Sequence, residues 1–328
     1  MIASTMMGLA LAAFATVAIA QERPTIVVAV QALPPTMEPT RELSNVGIRL
    51  MRNVYDKLVE YDYNNNMELV PGLATEWDVA DDFRTFTFQI REGVQFHNGD
   101  TLTAEDIAFT FGPERMMTEG APAYGATRNY FGSVESVEVT GPMEVTFRTS
   151  EPDPYLLKKL GVWSGEIINK RAYEEAGDWD AWSRNPVGSG PYRVAEIRAN
   201  DVIRLEAFDD YWLGAPAAAA IEWRAVPEVS ARIAGLAAGE YDVITDIPPD
   251  QLGTIEDAAD LAVEGGPIFN HRLLIFNQNH EIMQDVHLRR ALAKAIDREL
   301  IVETLWGGKT VVPLSHQWPA YGEMYIDD

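Results

Sequence analysis

Cysteine is absent from the 328 residues. That removes several chemistries at once: there is no disulfide, zinc–thiolate site, iron–sulfur cluster, lipid-modified N-terminal Cys or Cys nucleophile. Positive charge is scarce too. Lys and Arg number 26 against 50 Asp and Glu, a formal charge of −24. This excludes non-specific nucleic-acid binding, where cations must meet phosphates, and adhesion to anionic lipid. The acids are scattered, so they read first as a solvated surface that keeps a monomer soluble. A cationic ligand is the sharper alternative. No Walker loop, G-x-G-x-x-G or H-E-x-x-H occurs. Gly188-Ser189-Gly190 lacks the G-x-S-x-G spacing of a nucleophile elbow. His97, His271, His280, His287 and His316 never stand four apart as a helical metal pair would. No catalytic residue, metal ligand or cofactor is therefore expected.

Long apolar runs are also missing. Met7 to Ala20 is apolar but short for a membrane span. It ends in Ala18-Ile19-Ala20, an A-x-A cleavage site before Gln21. Residues 1–20 are expected to be a cleaved signal peptide that delivers the chain to the periplasm, with a membrane anchor as the rival. No Lys or Arg precedes the run, so a true start upstream of Met1 belongs to the same expectation.

What is present is the pattern of an α/β protein of about two domains. Thr25 to Val30 is an unbroken apolar and β-branched run, as in a buried strand. A Pro-rich loop follows, then Ile48, Met51, Val54, Tyr55 and Leu58 recur at helical steps. Phe86, Phe88 and Ile90 alternate with Thr85, Thr87 and Gln89, a half-buried strand. Thr103 can cap a helix with Glu105 and Asp106 in its first turn. Residues 137–139 and 145–147 read as a hairpin around Gly141-Pro142. Ile221–Val226, Ser230–Ala238 and Tyr241–Thr245 form a β-α-β unit. Leu273 to Phe276 predicts a strand, and Asp285 caps a helix with Leu288, Ala291, Leu292, Ala295 and Ile296 on one face.

Six ordered motifs resemble the extracellular solute-binding proteins of family 5, the dipeptide, oligopeptide and nickel-binding class. They are Tyr55-Asp56-Lys57-Leu58-Val59, then Pro71-Gly72-Leu73-Ala74 through Trp77, then Phe86 to Gly99 leading to Thr103-Ala104-Glu105-Asp106-Ile107. Asn185-Pro186-Val187-Gly188-Ser189-Gly190-Pro191-Tyr192, Tyr211-Trp212-Leu213-Gly214-Ala215-Pro216 and Leu288 to Arg298 complete the set, in family order over residues 25 to about 312. Read by themselves the motifs are structural. Gly93 and Gly99 permit turns, His97 bonds a turn, and Gly188 to Pro191 make a rigid bend.

The resemblance implies a two-lobe periplasmic binding protein of type II with an extra β-rich subdomain, and a second lobe left incomplete at Asp328. Residues 21–58 and 185–268 would form the α/β part of lobe I, 59–184 the β-rich extension and 269–328 the start of lobe II. It implies capture of a small solute, a peptide or peptide-like compound foremost, for the permease subunits of an ABC importer. A hydrolase, or a sensor or chaperone use of the same fold, is the alternative. On the cleft side it points to Ser44, Asn45, Gly47 and Ile48, where a helix start offers free N–H donors, unless Ser44 merely caps. Tyr124 and Arg128 fall where relatives carry cleft residues, and Arg128 either holds a carboxylate or lies free on the surface. Trp163 either stacks on solute or packs in the core. Asn270 either bonds solute or fixes the crossing between lobes.

Overall fold

The computed structural model describes residues 23–65, 68–112, 115–116, 121, 123–265 and 273–312. Strand β1 (Thr25–Val30) lies inside a five-stranded sheet with β8 (Tyr192–Arg198), β9 (Val202–Ala207), β10 (Ala220–Ala225) and β11 (Val243–Ile244), in the order β11-β1-β10-β9-β8. β1 runs parallel to both neighbours, Thr25 opposite Ala220 and Val28 opposite Val243. That is why its sequence is a continuous apolar run. β8 and β9 extend the sheet antiparallel. Helix α1 (Asn45–Val54) buries Leu50, Met51 and Val54 in a core shared with Val28, Val30, Ile203, Leu205 and Trp223.

A second core belongs to the β-rich extension. β2 (Val59–Asp62) and β3 (Glu68–Pro71) form a hairpin. β4 (Ala74–Val79), β5 (Thr85–Ile90), β6 (Val134–Gly141) and β7 (Glu144–Thr149) form an antiparallel sheet in the order β4-β5-β7-β6. The alternation of β5 puts Phe86, Phe88 and Ile90 inward. There they meet Phe111, which follows α2 (Ala104–Thr110), and Phe131 of α3 (Tyr124–Phe131). Phe111 meets Phe147 and Phe131 edge-on at 5.2 and 5.4 Å, the geometry a ring quadrupole favours. Helices α4 (Leu156–Leu160), α5 (Lys170–Ala176) and α6 (Trp179–Arg184) follow. Ile168 and Trp182, assigned by sequence to the extension, pack instead with Tyr55 and Tyr192 in the α/β core.

The two parts are knotted together by the motifs. At Gly188 and Gly190 a side chain would collide with the backbone of Val54, so only glycine allows this approach. His97 brackets the bend: its N–H donates to the Gly188 carbonyl (2.9 Å), its Nδ1 accepts from Gly188 N–H (3.4 Å), and its Nε2 bonds the Gly190 carbonyl (2.9 Å). Buried Asp56 accepts from Ser189 Oγ (2.8 Å), Tyr211 OH (3.0 Å) and Trp212 Nε1 (3.2 Å). Four of the motifs thus meet at one joint.

Helix α7 (Val229–Ala237) joins β10 to β11, and α8 (Leu252–Glu256), α9 (Glu281–Gln284), α10 (Val286–Ala295) and α11 (Arg298–Trp306) follow. Two expectations are corrected here. Tyr241–Thr245 shrinks to a two-residue strand. Leu273–Phe276 pairs with no strand among the described residues, because an apolar run becomes a strand only where another edge receives its N–H and C=O groups. None of α9, α10 and α11 buries a residue. Ile275 is 82% exposed and Leu305 62%, with Leu273, Leu274, Ile282 and Leu300 also open, so this stretch of sequence leaves its large apolar side chains in contact with solvent. The 328-residue chain alone is therefore expected to brighten the apolar dye ANS. Leu274→Ser with Ile275→Ser should cut the signal, and emission at the buffer level for the parent chain would contradict this. No helix of the described residues is long and apolar enough to cross a membrane.

Candidate functional site

In an open α/β sheet the crevice for ligands lies beyond the carboxyl ends of the parallel strands. Here those ends are Val30, Ala225 and Ile244. Arg232, buried on α7, holds two of the exits together. Its guanidinium donates to the carbonyls of Val226 (2.6 Å), Pro227 (2.9 Å) and Asp246 (3.2 Å). Asp246 turns with φ of +56°, a left-handed conformation that needs support from its surroundings. Support comes from α1. Arg49 Nη1 and Nη2 reach Asp246 Oδ2 and Oδ1 at 3.1 and 3.2 Å, and Thr245 Oγ1 donates to Oδ2 at 2.9 Å. Burial pushes the Asp246 carboxyl up, yet the hydrogen bonds and charge of Arg49 prevail and hold it below the usual carboxylate range. The first turns of α1 are thereby fixed at the strand exits.

The start of α1 is built by its own sequence. Ser44 caps it, its Oγ accepting from Gly47 N–H at 3.0 Å, which meets the structural reading of this residue. Ser44 and Asn45 are exposed, Ile48 is half-buried and Gly47 is buried. The space that a side chain would take at Gly47 is occupied by Glu42. A Cβ there would lie 2.5 Å from Glu42 Oε1, and the same Glu42 oxygen accepts from Ser44 N–H at 2.6 Å. Bulk added at Gly47 thus collides first with the protein itself.

Tyr124 and Arg128 share α3. The Arg128 guanidinium is exposed and sits 5.9 Å from the Tyr124 ring. Arg128, Tyr130, Ser133, Asp153, Tyr155 and Lys159 line an open cavity of about 460 Å³. Lys159 is engaged there by Asp153 at 2.6 Å, which leaves Arg128 as the cation of that wall without an ion pair among the described residues. Trp163 is half-buried, edge-on to Tyr130 with centroids 6.2 Å apart. The structure thus links Arg128, Tyr124 and Trp163 through the Tyr130 neighbourhood on the extension, and Ser44 to Ile48 at the α/β strand exits. Asn270 lies outside the described residues. Among the described residues no group of three or more His, Asp or Glu could hold a metal ion.

Sequence reasoning missed Glu42, Arg49, Arg232 and Asp246. A signal for Glu42 was available: an acid two residues before a Ser cap, with a Gly three after it. Arg49 and Asp246 are separated by 197 residues, and no local pattern announces such a pair.

Comparison with known proteins adds the lineage. Residues 68–328 match the family model described as bacterial extracellular solute-binding proteins, family 5 Middle. A dipeptide-binding protein of Escherichia coli is 27% identical across 93% of this chain and 60% of its own length. A probable ABC transporter periplasmic-binding protein, SapA, of the same organism is 29% identical across 83% of this chain and 53% of its own length. The solved oligopeptide-binding protein AppA of Bacillus subtilis, in complex with a nonapeptide, superposes with a TM-score of 0.77 at 24% identity, over 94% of this chain and 60% of its own. The chain thus spans a little over half the length of the curated relatives it matches.

Proposed function

The chain belongs to the bacterial extracellular solute-binding proteins of family 5, and from that membership we propose that it is the capture component of an ABC importer. Its solute is a peptide or peptide-like compound, held between lobes and presented to the permease subunits. The observation that carries this reading is the match over residues 68–328, laid on a sheet whose parallel strand exits are held ready by Arg232, Asp246 and Arg49. A binding protein of this kind closes by a hinge around its solute and needs no covalent chemistry. The leader at 1–20 belongs to the same proposal, with export to the periplasm as a monomer.

Ser44, Asn45 and Ile48 form the α/β wall of the proposed cleft, Tyr124, Arg128 and Trp163 the extension wall, and Asn270 the crossing between lobes. Gly47 supports Glu42 and contacts no solute. Protein purified from the periplasm is expected to begin at Gln21 and to bind members of a dipeptide panel in calorimetry. Arg128→Ala should weaken solutes with a free carboxylate on the order of a thousandfold, the effect of stripping one partner from an ion pair that closure buries. Neutral solutes should change little. Equal effects on both would remove Arg128 from the cleft. Panel peptides cleaved instead of bound would turn the reading towards the hydrolase.

A further inference from the structure

The open cavity of about 460 Å³ on the extension carries one cation and one acid that do not meet. Arg128 and Glu151 both line it and both are exposed, and neither makes an ion pair among the described residues. The other two charges of the wall satisfy each other. Buried Asp153 accepts from Lys159 Nζ at 2.6 Å, from Ser133 Oγ at 2.5 Å and from Tyr155 N–H at 3.2 Å. That network balances Asp153 and Lys159 and leaves Arg128 and Glu151 as the two charges open to a visitor. Much of the remaining lining is ring: Tyr130, Pro152, Pro154 and Tyr155. The Tyr130 hydroxyl has no hydrogen-bond partner among the described residues, and burial raises it above its ordinary pKa. Pockets for small molecules start at about 300 Å³, so there is room here for a solute of amino-acid size.

We propose that this cavity takes a small zwitterion, with Arg128 binding the carboxylate, Glu151 the ammonium group, and the tyrosine and proline rings an apolar side chain. A guanidinium holds a carboxylate through two parallel hydrogen bonds, and an acid in the same cavity discourages a second carboxylate and attracts a cation. A solute with a single charge meets only one of the two partners. Because both groups line one cavity, the two charges must also lie close together in the solute. That favours an amino acid or a very short peptide over long or end-blocked chains. The proposal deepens the solute-binding reading and rests on it for the role of Arg128, and it makes Glu151 a specificity-determining residue.

The test uses the full chain, labelled with nitrogen-15, at about pH 6, where an α-amine stays charged. Three probes are titrated at fixed ionic strength: phenylalanine, N-acetylphenylalanine and phenylalaninamide. The amides of Ser133, Glu151, Asp153 and Tyr155 should shift saturably with phenylalanine. Each singly charged probe should bind about fivefold more weakly, the scale of one ion pair in an open site. Glu151→Gln should bring phenylalanine down to the affinity of N-acetylphenylalanine and leave N-acetylphenylalanine no weaker. Arg128→Gln should bring phenylalanine down to the affinity of phenylalaninamide. Both side chains are exposed, so the amide spectrum away from the cavity should stay that of the parent. Phenylalanine that binds no more tightly than its blocked forms would overturn the proposal, and so would a Glu151→Gln variant that treats all three probes as the parent does or weakens them alike. A dipeptide panel that finds no solute would sink the peptide reading of the cleft, while the phenylalanine shifts judge this cavity alone.

Discussion

Replacing Arg115 by Met is expected to cost about 3–5 kcal/mol of folding stability at neutral pH, the usual loss when one partner of a buried ion pair is removed. Arg115 Nη2 lies 2.6 Å from Glu38 Oε1, with each side chain 2% exposed. Its Nη1 donates to the Thr110 carbonyl at 2.9 Å, and the Tyr173 ring stands 5.9 Å away. Glu38 is further held by Thr40, through N–H at 3.1 Å and Oγ1 at 2.6 Å. Without Arg115 those two bonds must carry a desolvated charge alone. The pair also tethers the buried Pro-rich loop before α1 to the segment after α2, so the extension and the α/β part loosen together. Arg115→Met combined with Glu38→Leu removes both charges and should recover most of the loss, since apolar replacement of a whole buried pair is often neutral. Urea denaturation reads both variants. A single-variant loss below about 1 kcal/mol, the scale of a surface pair, would show that the pair does not hold the joint. A double variant no better than the single one would show the same.

The second large effect is in the pH dependence of the bend at Gly188 to Gly190. Burial pushes the Asp56 carboxyl up to about 6, against the opposing hydrogen bonds from Ser189, Trp212 and Tyr211 and with a small push from Glu60. Burial lowers His97 to about 4, against the hydrogen bond to the Gly190 carbonyl and with help from Arg193. The two signs oppose. A raised acid contributes stability below its unfolded value, near 4, that is lost as pH rises through about 6. A lowered His contributes stability above its unfolded value, near 6.5, that is lost as pH falls through about 4. Each displacement is worth roughly 3 kcal/mol, so between about pH 4 and 6.5 the slopes largely cancel in the parent. Asp56→Asn leaves the His97 slope, and stability should climb with pH by about 3 kcal/mol across that window. His97→Gln leaves the Asp56 slope, and stability should fall by a similar amount. Melting curves at pH 4 to 7 test both. If the two variants keep the slope of the parent, neither group is held as its surroundings imply.

Much of this fold was readable residue by residue, because it rests on local periodicity. The alternation of Phe86, Phe88 and Ile90 gave β5, and Thr103 with Asp106 gave the start of α2, where the Asp106 carboxylate accepts from Thr103 N–H at 2.9 Å. What was not readable depends on distant partners. Leu273 to Phe276 has strand composition without a strand beside it among the described residues, and Trp182 follows an extension but packs in the other core. The candidate site divides the same way. Ser44 was legible as a cap because capping needs only three neighbours in sequence. Arg49 with Asp246 was not, since that pair exists only once β11 stands beside β1, and the three carbonyls that Arg232 joins become one target only when the turn after α7 folds back.

That dependence has a kinetic side. β1 is the first strand among the described residues, yet its partners are β10 and β11: Thr25 waits for Ala220, and Val28 for Val243. Until then the extension can collapse on its own phenylalanines, but the N-terminal strand has no sheet to enter. Closing contacts so far apart in sequence is slow. A nascent chain of this design keeps its leading strand unpaired until β10 and β11 have been made, and for that interval the strand edge stays open to whatever else handles unfolded chain.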